Sequence, residues 1–391
     1  MTRGFRRLHG GTRARKGRVP DSIQTRASSV APGGATHSAP TGALPCISVV
    51  IPVLNEAAHL GRLLDDLLAQ DYPPERFEIL VVDGGSSDGT AGVARDYARS
   101  SIAPIRVLTN PRRLSSAGRN VGVLCSRGEL VVFIDGHCRI PSTSLLAETA
   151  RIMAETDSQC LCRPQPLTGA GNTLFQDVVA HARASTIGHG RDSTIYLDER
   201  ESEVNPTSSG ASYRRSVFDR VGLYDEEFDA CEDVELNYRV YRAGLRSYFS
   251  NRLAVHYQPR ATLRALFRQS VRYGRGRVRL MKKHPDAASP SQLVPAGFVA
   301  GLAAVALAAW LPRPAAEGLG LALAAYAALV LGYSITLGAR QGWRHAIAAP
   351  AVYLAIHVGF GAGFWFELGR AARQALRRAR GRWLPERASE G

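Results

Sequence analysis

Residues 46–70 read "CISVVIPVLNEAAHLGRLLDDLLAQ". The first part, Cys46–Asn55, is a nearly continuous apolar run, as expected of a strand covered on both faces. The second part puts Leu60, Leu63, Leu64, Leu67 and Leu68 on one helical face. The pattern then repeats. "FEILVVDGGSSDGT" (77–90) is a second strand closed by a Gly/Ser/Asp loop, and a helix is predicted from about Thr90 to Ser100. "IRVLTN" (105–110) is a third strand, "SSAGRNVGVLCSR" (115–127) a helix and "ELVVFID" (129–135) a fourth strand, with a further helix over 142–155. Apolar strands alternating with helices predict an α/β fold around a mostly parallel sheet. The polar loops fall at the carboxyl ends of the strands, where open sheets of this kind bind ligands.

Farther along, the pattern is irregular over about 160–213, then helical around an acidic knot in "SVFDRVGLYDEEFDACEDVELNYRVYRAGL" (216–245). "TLRALFRQSVRYGRGRVRLMKKHP" (262–285) puts Leu263, Leu266 and Phe267 on one face and repeats Arg264, Arg268 and Arg272 every fourth residue. That composition suits a helix in a membrane interface; a solvated basic helix is the alternative. Three apolar runs follow at about 293–311, 319–338 and 346–366. Each is near the roughly 20 residues needed to cross a bilayer. His357, Glu367 and "GFGAGF" make the third run the least typical span.

The 391 residues hold 49 Lys+Arg against 34 Asp+Glu, a formal charge of +15. Residues 1–45 carry eight basic residues and one acid, residues 252–283 ten and none, and residues 370–391 seven and two. Basic blocks beside apolar runs point to a membrane surface. No zinc spacing, helix-turn-helix pattern or aromatic platform accompanies them, which argues against nucleic acid as a partner. Residues 1–45 have the composition of a disordered basic tail. Three spans would set the basic 252–283 block and the Arg-rich tail on opposite sides, against the positive-inside rule. Among the six cysteines, Cys160 and Cys162 form only C-x-C, so all six read as ordinary thiols.

The chemistry sits at strand ends. The first strand ends without G-x-G-x-x-G or a Walker loop. Asp83 ends the second strand and can accept from a ribose or uracil edge; Gly84 and Gly85 permit close backbone approach. Asp88 and Thr90 are natural helix-capping residues. "VVFIDGHCRI" (131–140) brings Asp135 and His137 to the fourth strand end. Asp-x-His can hold Mg²⁺ or Mn²⁺ on a diphosphate, or be a plain polar turn. Arg119 and Asn120 can meet phosphate or base. His256 is a further candidate ligand or a core histidine. Glu232, Asp233 and Glu235 crowd one helix start, where like charges raise a carboxyl toward general-base duty, or where they simply complement the helix dipole.

Taken in order, "ISVVIPVLNE", "VVDGGSSDGT", "SAGRNVGV", "FIDGHCRIP", "SSGASYRRSVFDRVGLYDEEF" and "EDVELNYRVYRAG" resemble the family-2 inverting glycosyltransferases of GT-A fold. "YQPRATLRALFRQSVRYGRGRVRLMKKHP", followed by apolar runs, is similar to the succinoglycan-type exopolysaccharide subgroup. The resemblance implies a GT-A Rossmann-like, mostly parallel sheet over 46–257, a basic interfacial region over 258–290, a helical membrane region over 291–368 and a basic tail over 369–391. It implies Pro52, Val53, Asn55, Glu56, Asp83, Ser86 and Asp88 at the nucleotide, and Asp135 with His137 at a divalent metal. It makes Asp233 the catalytic base, and Gly210, Ala211, Ser212 and Glu232 part of the donor and acceptor pocket. Gln269, Arg272 and Tyr273 stand where processive synthases have Q-x-x-R-W, with Tyr in place of Trp. The implied donor is a nucleotide-diphospho-sugar, a UDP-hexose by resemblance. The implied acceptor is a polyprenyl-linked saccharide at the cytoplasmic face of the cell membrane, with other polysaccharide-assembly proteins as partners. A processive synthase and an inactive sugar-nucleotide-binding scaffold are the alternatives.

Overall fold

The structure is a computed structural model that describes residues 43–167, 169, 171–190, 195–196, 200–207, 209–305 and 310–383, with side chains of the last helix to 377. The basic stretch at 1–42 and the end at 384–391 lie outside the described residues.

The first half follows the expected alternation: β1 (Ile47–Val53), α1 (Ala57–Leu68), β2 (Phe77–Asp83), α2 (Thr90–Ser100), β3 (Ile105–Thr109), α3 (Ser115–Cys125) and β4 (Leu130–Phe133). There follow β5 (Cys138–Arg139), α4 (Leu145–Glu155), β6 (Cys160–Cys162), α5 (Leu174–Arg183), α6 (Thr186–His189), β7 (Glu201–Glu203), β8 (Gly210–Arg214), α7 (Ser216–Val221), α8 (Glu232–Arg242), β9 (Ser247–Ser250) and β10 (His256–Tyr257). The main sheet runs β3-β2-β1-β4-β8-β6-β9-β7, and β10 pairs with β5 in a small second sheet. β3, β2, β1 and β4 are parallel; β8 joins β4 antiparallel. The chain leaves β1 for β2 on one side and later returns to lay β4 on the other. This is a topological switch point, and a crevice opens at the carboxyl ends of β1 and β4.

β1 shows why its sequence is continuously apolar. Ile47, Val49, Ile51 and Val53 pack with Leu60, Leu63, Leu64 and Leu67 of α1 on one face. Val50 faces the other way, into a second core with Leu80, Val123, Phe133 and Tyr213. Both faces are covered, so the residues lack the alternation of a half-exposed strand. The polar exception, Ser48, is buried but bonded: its hydroxyl donates to Glu78 at 2.8 Å and accepts from the Gly128 N–H at 2.8 Å.

Four helices close the described chain: α9 (Leu263–Lys283), α10 (Pro290–Val305), α11 (Arg313–Gln341) and α12 (Trp343–Trp383). Of the three expected spans, the first (293–311) falls partly outside the described residues. Two helices, α11 and α12, are long and apolar enough to cross a membrane; the described part of α10 has 16 residues. α12 also runs through Glu367 and the first part of the expected basic tail, because the Ala, Leu, Gln and Arg residues there are good helix formers.

α9 is covered on one face and open on the other. Leu266 is 1% exposed, while Leu263 and Phe267 remain exposed at 44% and 37%. The burial comes from α12, which crosses α9 at very short range. A Cβ on Gly274 would strike the Phe360 carbonyl, and one on Gly363 would strike the Val271 carbonyl. The glycines of "GFGAGF" are thus a helix-packing device, since glycine lets two backbones approach. Tyr353 of α12 reaches Ser185 at 3.1 Å, and His357 reaches the Ile187 carbonyl at 2.6 Å. α12 is half-buried against the α/β unit, whereas α11 is almost entirely exposed.

Candidate active site

A cavity of about 400 Å³ opens at the switch point. The ends of β1 and β4, the start of α8 and one face of α9 all contribute to its wall. Of the residues singled out from sequence, Pro52, Val53, Glu56, Arg119, Asp135, His137, Gly210, Ala211, Glu232, Asp233, Gln269, Arg272 and Tyr273 line it.

Asn55, Gly84, Ser86 and Asp88 lie outside that wall and tie two loops together. The Asn55 N–H donates to Ser86 Oγ at 2.8 Å, the Ser87 N–H to Asn55 Oδ1 at 2.9 Å and the Ala57 N–H to Asp88 Oδ2 at 3.0 Å. Asp83 accepts from the Gly85 N–H at 3.1 Å and from Ser86 Oγ at 2.5 Å. The Gly84 N–H donates to the Val53 carbonyl at 2.9 Å. Asn55, at φ 58, holds a left-handed turn that this stitching supports.

Two sequence expectations are corrected. Asn120 does not reach the cavity. Its side chain donates to the Tyr224 carbonyl at 2.9 Å and to Glu226 at 2.8 Å, and accepts from the Tyr224 N–H at 2.8 Å. It fixes the loop before α8. Ser212, 2% exposed, sits inside the sheet opposite Val132 and Leu161. In addition, His256 is no ligand of the Asp135 corner. β10 alternates sides, so Tyr257 lines the cavity while His256 lines a separate pocket with Ser142, Glu148 and Arg252.

Arg119 is the centre of the wall. Its Nη2 donates to Asp135 Oδ1 at 2.8 Å, its Nε to Ser115 Oγ at 3.2 Å, and Glu232 Oε1 lies 3.7 Å from Nε. The guanidinium lies over Phe133 and Tyr224, 5.4 and 5.7 Å from the ring centres. One buried cation therefore bridges the carboxylate at the end of β4 and the acidic start of α8. Burial alone would raise the Asp135 carboxyl; Arg119, His137, Arg163 and Arg260 outweigh it and hold the group below the usual carboxylate range.

His137 is oriented with equal care. Its Nδ1 lies 3.0 Å from Glu56 Oε1, and Tyr257 meets its ring edge-on at 4.5 Å. With Nδ1–H donated to Glu56, Nε2 carries the lone pair, and Nε2 is buried without a partner. A carboxylate behind a histidine with a free ring nitrogen is the support usual for a metal ligand. The second oxygen of Asp135 also has no protein donor among the described residues. The donor set fits a divalent ion that takes its remaining ligands from a bound diphosphate and water. Among the described residues no group of three or more His, Cys, Asp or Glu side chains could hold one alone.

The acidic start of α8 is set up by Cys231, whose φ of 63 turns the chain sharply into the helix. Glu232 is 8% exposed. Burial and the adjacent Asp233 push its carboxyl up, against Arg119. A raised carboxyl binds protons that the unfolded chain has released, so its burial costs stability as pH rises above the ordinary glutamate range. Glu232→Gln, which mimics the protonated form, is expected to unfold at the same temperature as wild type near about pH 4 and at a higher one by about pH 8. Thermal unfolding across that range checks it; a constant difference between the two proteins would refute it.

Arg163 was not expected from the sequence. It is 4% exposed, follows β6 and joins the cavity wall. Its Nη2 donates to the Phe133 carbonyl at 2.6 Å, but Nε and Nη1 are buried without partners. A cation left in this way favours a negative ligand nearby. Its one sequence signal is a charge placed directly after the buried "CLC" strand. Of the six cysteines, Cys138, Cys160, Cys162 and Cys231 are buried, Cys160 and Cys162 in β6, while Cys46 and Cys125 are partly exposed.

The glycosyl transferase family 2 profile matches residues 48–222. The chain is 32% identical to the succinoglycan biosynthesis protein ExoA of Rhizobium meliloti (strain 1021), over 82% of this chain and 94% of that protein. It is 27% identical to the glycosyltransferase AglE of Haloferax volcanii, over 61% of this chain and 75% of that one. Among solved structures, the mannosyltransferase PcManGT from Pyrobaculum calidifontis, in complex with GDP-Man and Mn²⁺, superposes with a TM-score of 0.54 at 22% identity. That match covers 79% of this chain and 87% of the other, and it supports the GT-A fold. A switch-point cavity, an Asp-x-His strand end, an acidic helix start and a relative of this identity over nearly its whole length converge: the chain belongs to glycosyl transferase family 2 and is a glycosyltransferase of GT-A fold.

Proposed function

We propose that this enzyme is an inverting, membrane-associated transferase. It moves a hexose from a nucleotide-diphospho-sugar, a UDP-sugar in this reading, to a lipid-linked or growing saccharide in exopolysaccharide or cell-surface glycan synthesis. One observation carries the reading: Asp135 and Asp233 line a single cavity, and Arg119 links the Asp135 side to the acidic pair at the start of α8. One side suits a leaving diphosphate, the other an incoming hydroxyl.

In this mechanism Asp233 takes the acceptor proton, and the acceptor oxygen attacks the anomeric carbon opposite the leaving nucleoside diphosphate. A divalent metal, Mg²⁺ or Mn²⁺, held by Asp135 and His137 would supply counter-charge to the departing diphosphate. Glu56 orients His137, and Arg119 keeps Asp135 ionised. Arg163 and Arg260 line the cavity as further cations for the anionic donor. The stitched loops at Asn55, Asp83, Ser86 and Asp88 shape the nucleotide end. Gln269, Arg272 and Tyr273 bring α9 to the acceptor side.

The exposed apolar length of α11, with Leu321, Leu329, Leu331 and Ile335 outward, is the surface for lipid. Exposed Leu263 and Phe267 of α9 stand beside Arg264 and Arg268, which suits anionic headgroups on the cytoplasmic side. The lipid end of a polyprenyl-linked acceptor would rest on this side of the molecule.

The test is a panel of radiolabelled UDP- and GDP-sugars offered to membranes carrying the enzyme and lipid-linked acceptors, with and without chelator. Transfer from one UDP-hexose into lipid-extractable product, lost with chelator and restored by Mn²⁺ or Mg²⁺, is expected. No transfer from any donor would end the proposal. Because Gln269 and Arg272 sit in the cavity wall, processive synthesis is the second reading; a ladder of long chains would establish it instead.

A further inference from the structure

Glu367 stands at the end of the third apolar run, yet is 3% exposed and surrounded by arginines. Arg275 Nε approaches its Oε2 at 3.2 Å, Arg279 Nε its Oε1 at 3.1 Å and Arg370 Nη2 its Oε1 at 2.7 Å. The two α9 arginines do not stop there. Arg279 Nη1 donates to Asp229 Oδ1 at 2.5 Å and to the Glu227 carbonyl at 3.0 Å, and Arg275 Nη1 lies 3.5 Å from Asp229 Oδ2. Arg272, in the cavity wall, donates to the Asp229 carbonyl. Asp229 stands four residues before Asp233, on the loop that enters α8 through the left-handed Cys231. Gly276 of α9 lies directly against the Ala230 carbonyl and Cys231 Sγ of that loop.

A continuous chain of charge-assisted contacts therefore runs from α12 through α9 to the loop that carries the acidic pair. We propose that Glu367 is a positioning residue for catalysis. Acting through Arg275 and Arg279 on Asp229, it fixes the 225–233 loop and so the placement of Asp233. This rests on the reading of Asp233 as the base, but its structural half does not. The loop has other ties, such as Ser116 Oγ to the Phe228 carbonyl and Lys283 to Asp225, but the Asp229 carboxylate is met by Arg275 and Arg279, the two α9 arginines that Glu367 also holds. Glu367 holds them from behind, so that their free ends meet Asp229 in one geometry. Seating α12 thus becomes a condition for an ordered catalytic loop.

The experiment compares Glu367→Gln, Glu367→Asp, Asp229→Asn and the Glu367→Gln/Asp229→Asn double variant of the full chain. Hydrogen exchange is read first, because it needs no substrate. In Glu367→Gln, amides of 225–233 are expected to exchange about tenfold faster, while β1, β2 and β4 amides stay at wild-type rates. On the donor found by the panel above, kcat should fall about tenfold with donor KM unchanged, and the double variant should be no slower than either single one. Glu367→Asp, which keeps the charge, should recover part of both. Loop exchange unchanged in Glu367→Gln, a general rise that includes the sheet, or losses that multiply in the double variant would each overturn the proposal. If exchange changes as stated but Asp233→Asn transfers sugar normally, the positioning network stands and the assignment of the base falls.

Discussion

Asp233→Asn is expected to lower kcat by about 10²–10⁴-fold, the span typical of a lost general base. Donor affinity should stay within a few-fold. Asparagine keeps the shape and can still accept the Val234 N–H that Asp233 Oδ1 accepts at 2.8 Å. It cannot take a proton from an acceptor hydroxyl. Transfer assays alongside titration of the nucleoside diphosphate separate the two quantities. Undiminished transfer would remove Asp233 from the mechanism.

Arg119→Met is expected to be the most damaging substitution for stability. Methionine fills the space over Phe133 and Tyr224 but leaves Asp135 and Glu232 without their shared cation. Removing one partner of a buried pair costs about 3–5 kcal/mol. The Asp135 side chain is 36% exposed, so the lower end, about 3 kcal/mol, is the expected loss. The pH dependence has a definite sign. The folded Asp135 carboxyl lies below its unfolded value. Its contribution is therefore fully present above about pH 4 and is lost as pH falls through the folded value. The gap between wild type and Arg119→Met should be largest near neutrality and shrink in acid. Urea unfolding in detergent near about pH 7 and about pH 2 measures it. A gap that widened in acid would contradict this account.

Much of the site could be read along the chain because its groups sit at strand ends and helix starts. Asp135 and His137 follow a buried strand, and Glu232 and Asp233 open a helix. Apolar period and turn residues mark such places without any knowledge of partners. What escaped were roles that depend on a residue far away. Arg119 was a candidate for phosphate but joins Asp135, 16 residues on, to Glu232, more than a hundred residues on. Asn120 carries the same local signals and turns inward to Tyr224 and Glu226. His256 and Tyr257 are neighbours, and only the pairing of β10 with β5 decides which faces the cavity.

The C-terminal helices make the same division. Composition alone identified apolar runs of nearly membrane length, and α11 keeps its apolar surface exposed as such a run should. For α12 the local signal says only part, since helix–helix packing against a catalytic unit uses the same small and apolar residues as packing against lipid, and α12 is half-buried. Gly274 and Gly363 acquire meaning only where two backbones meet, and Glu367 only where α9 brings Arg275 and Arg279 to it. By itself the sequence determined the alternating strands and helices of 47–155, the family and the residues at the cavity's ends, because short-range periodicity and turn chemistry are written locally, whereas the short elements over 160–214 escaped it. The tertiary structure alone decided which charges meet, which histidine faces the site and which apolar helix is already occupied, because those depend on contacts between segments up to 170 residues apart.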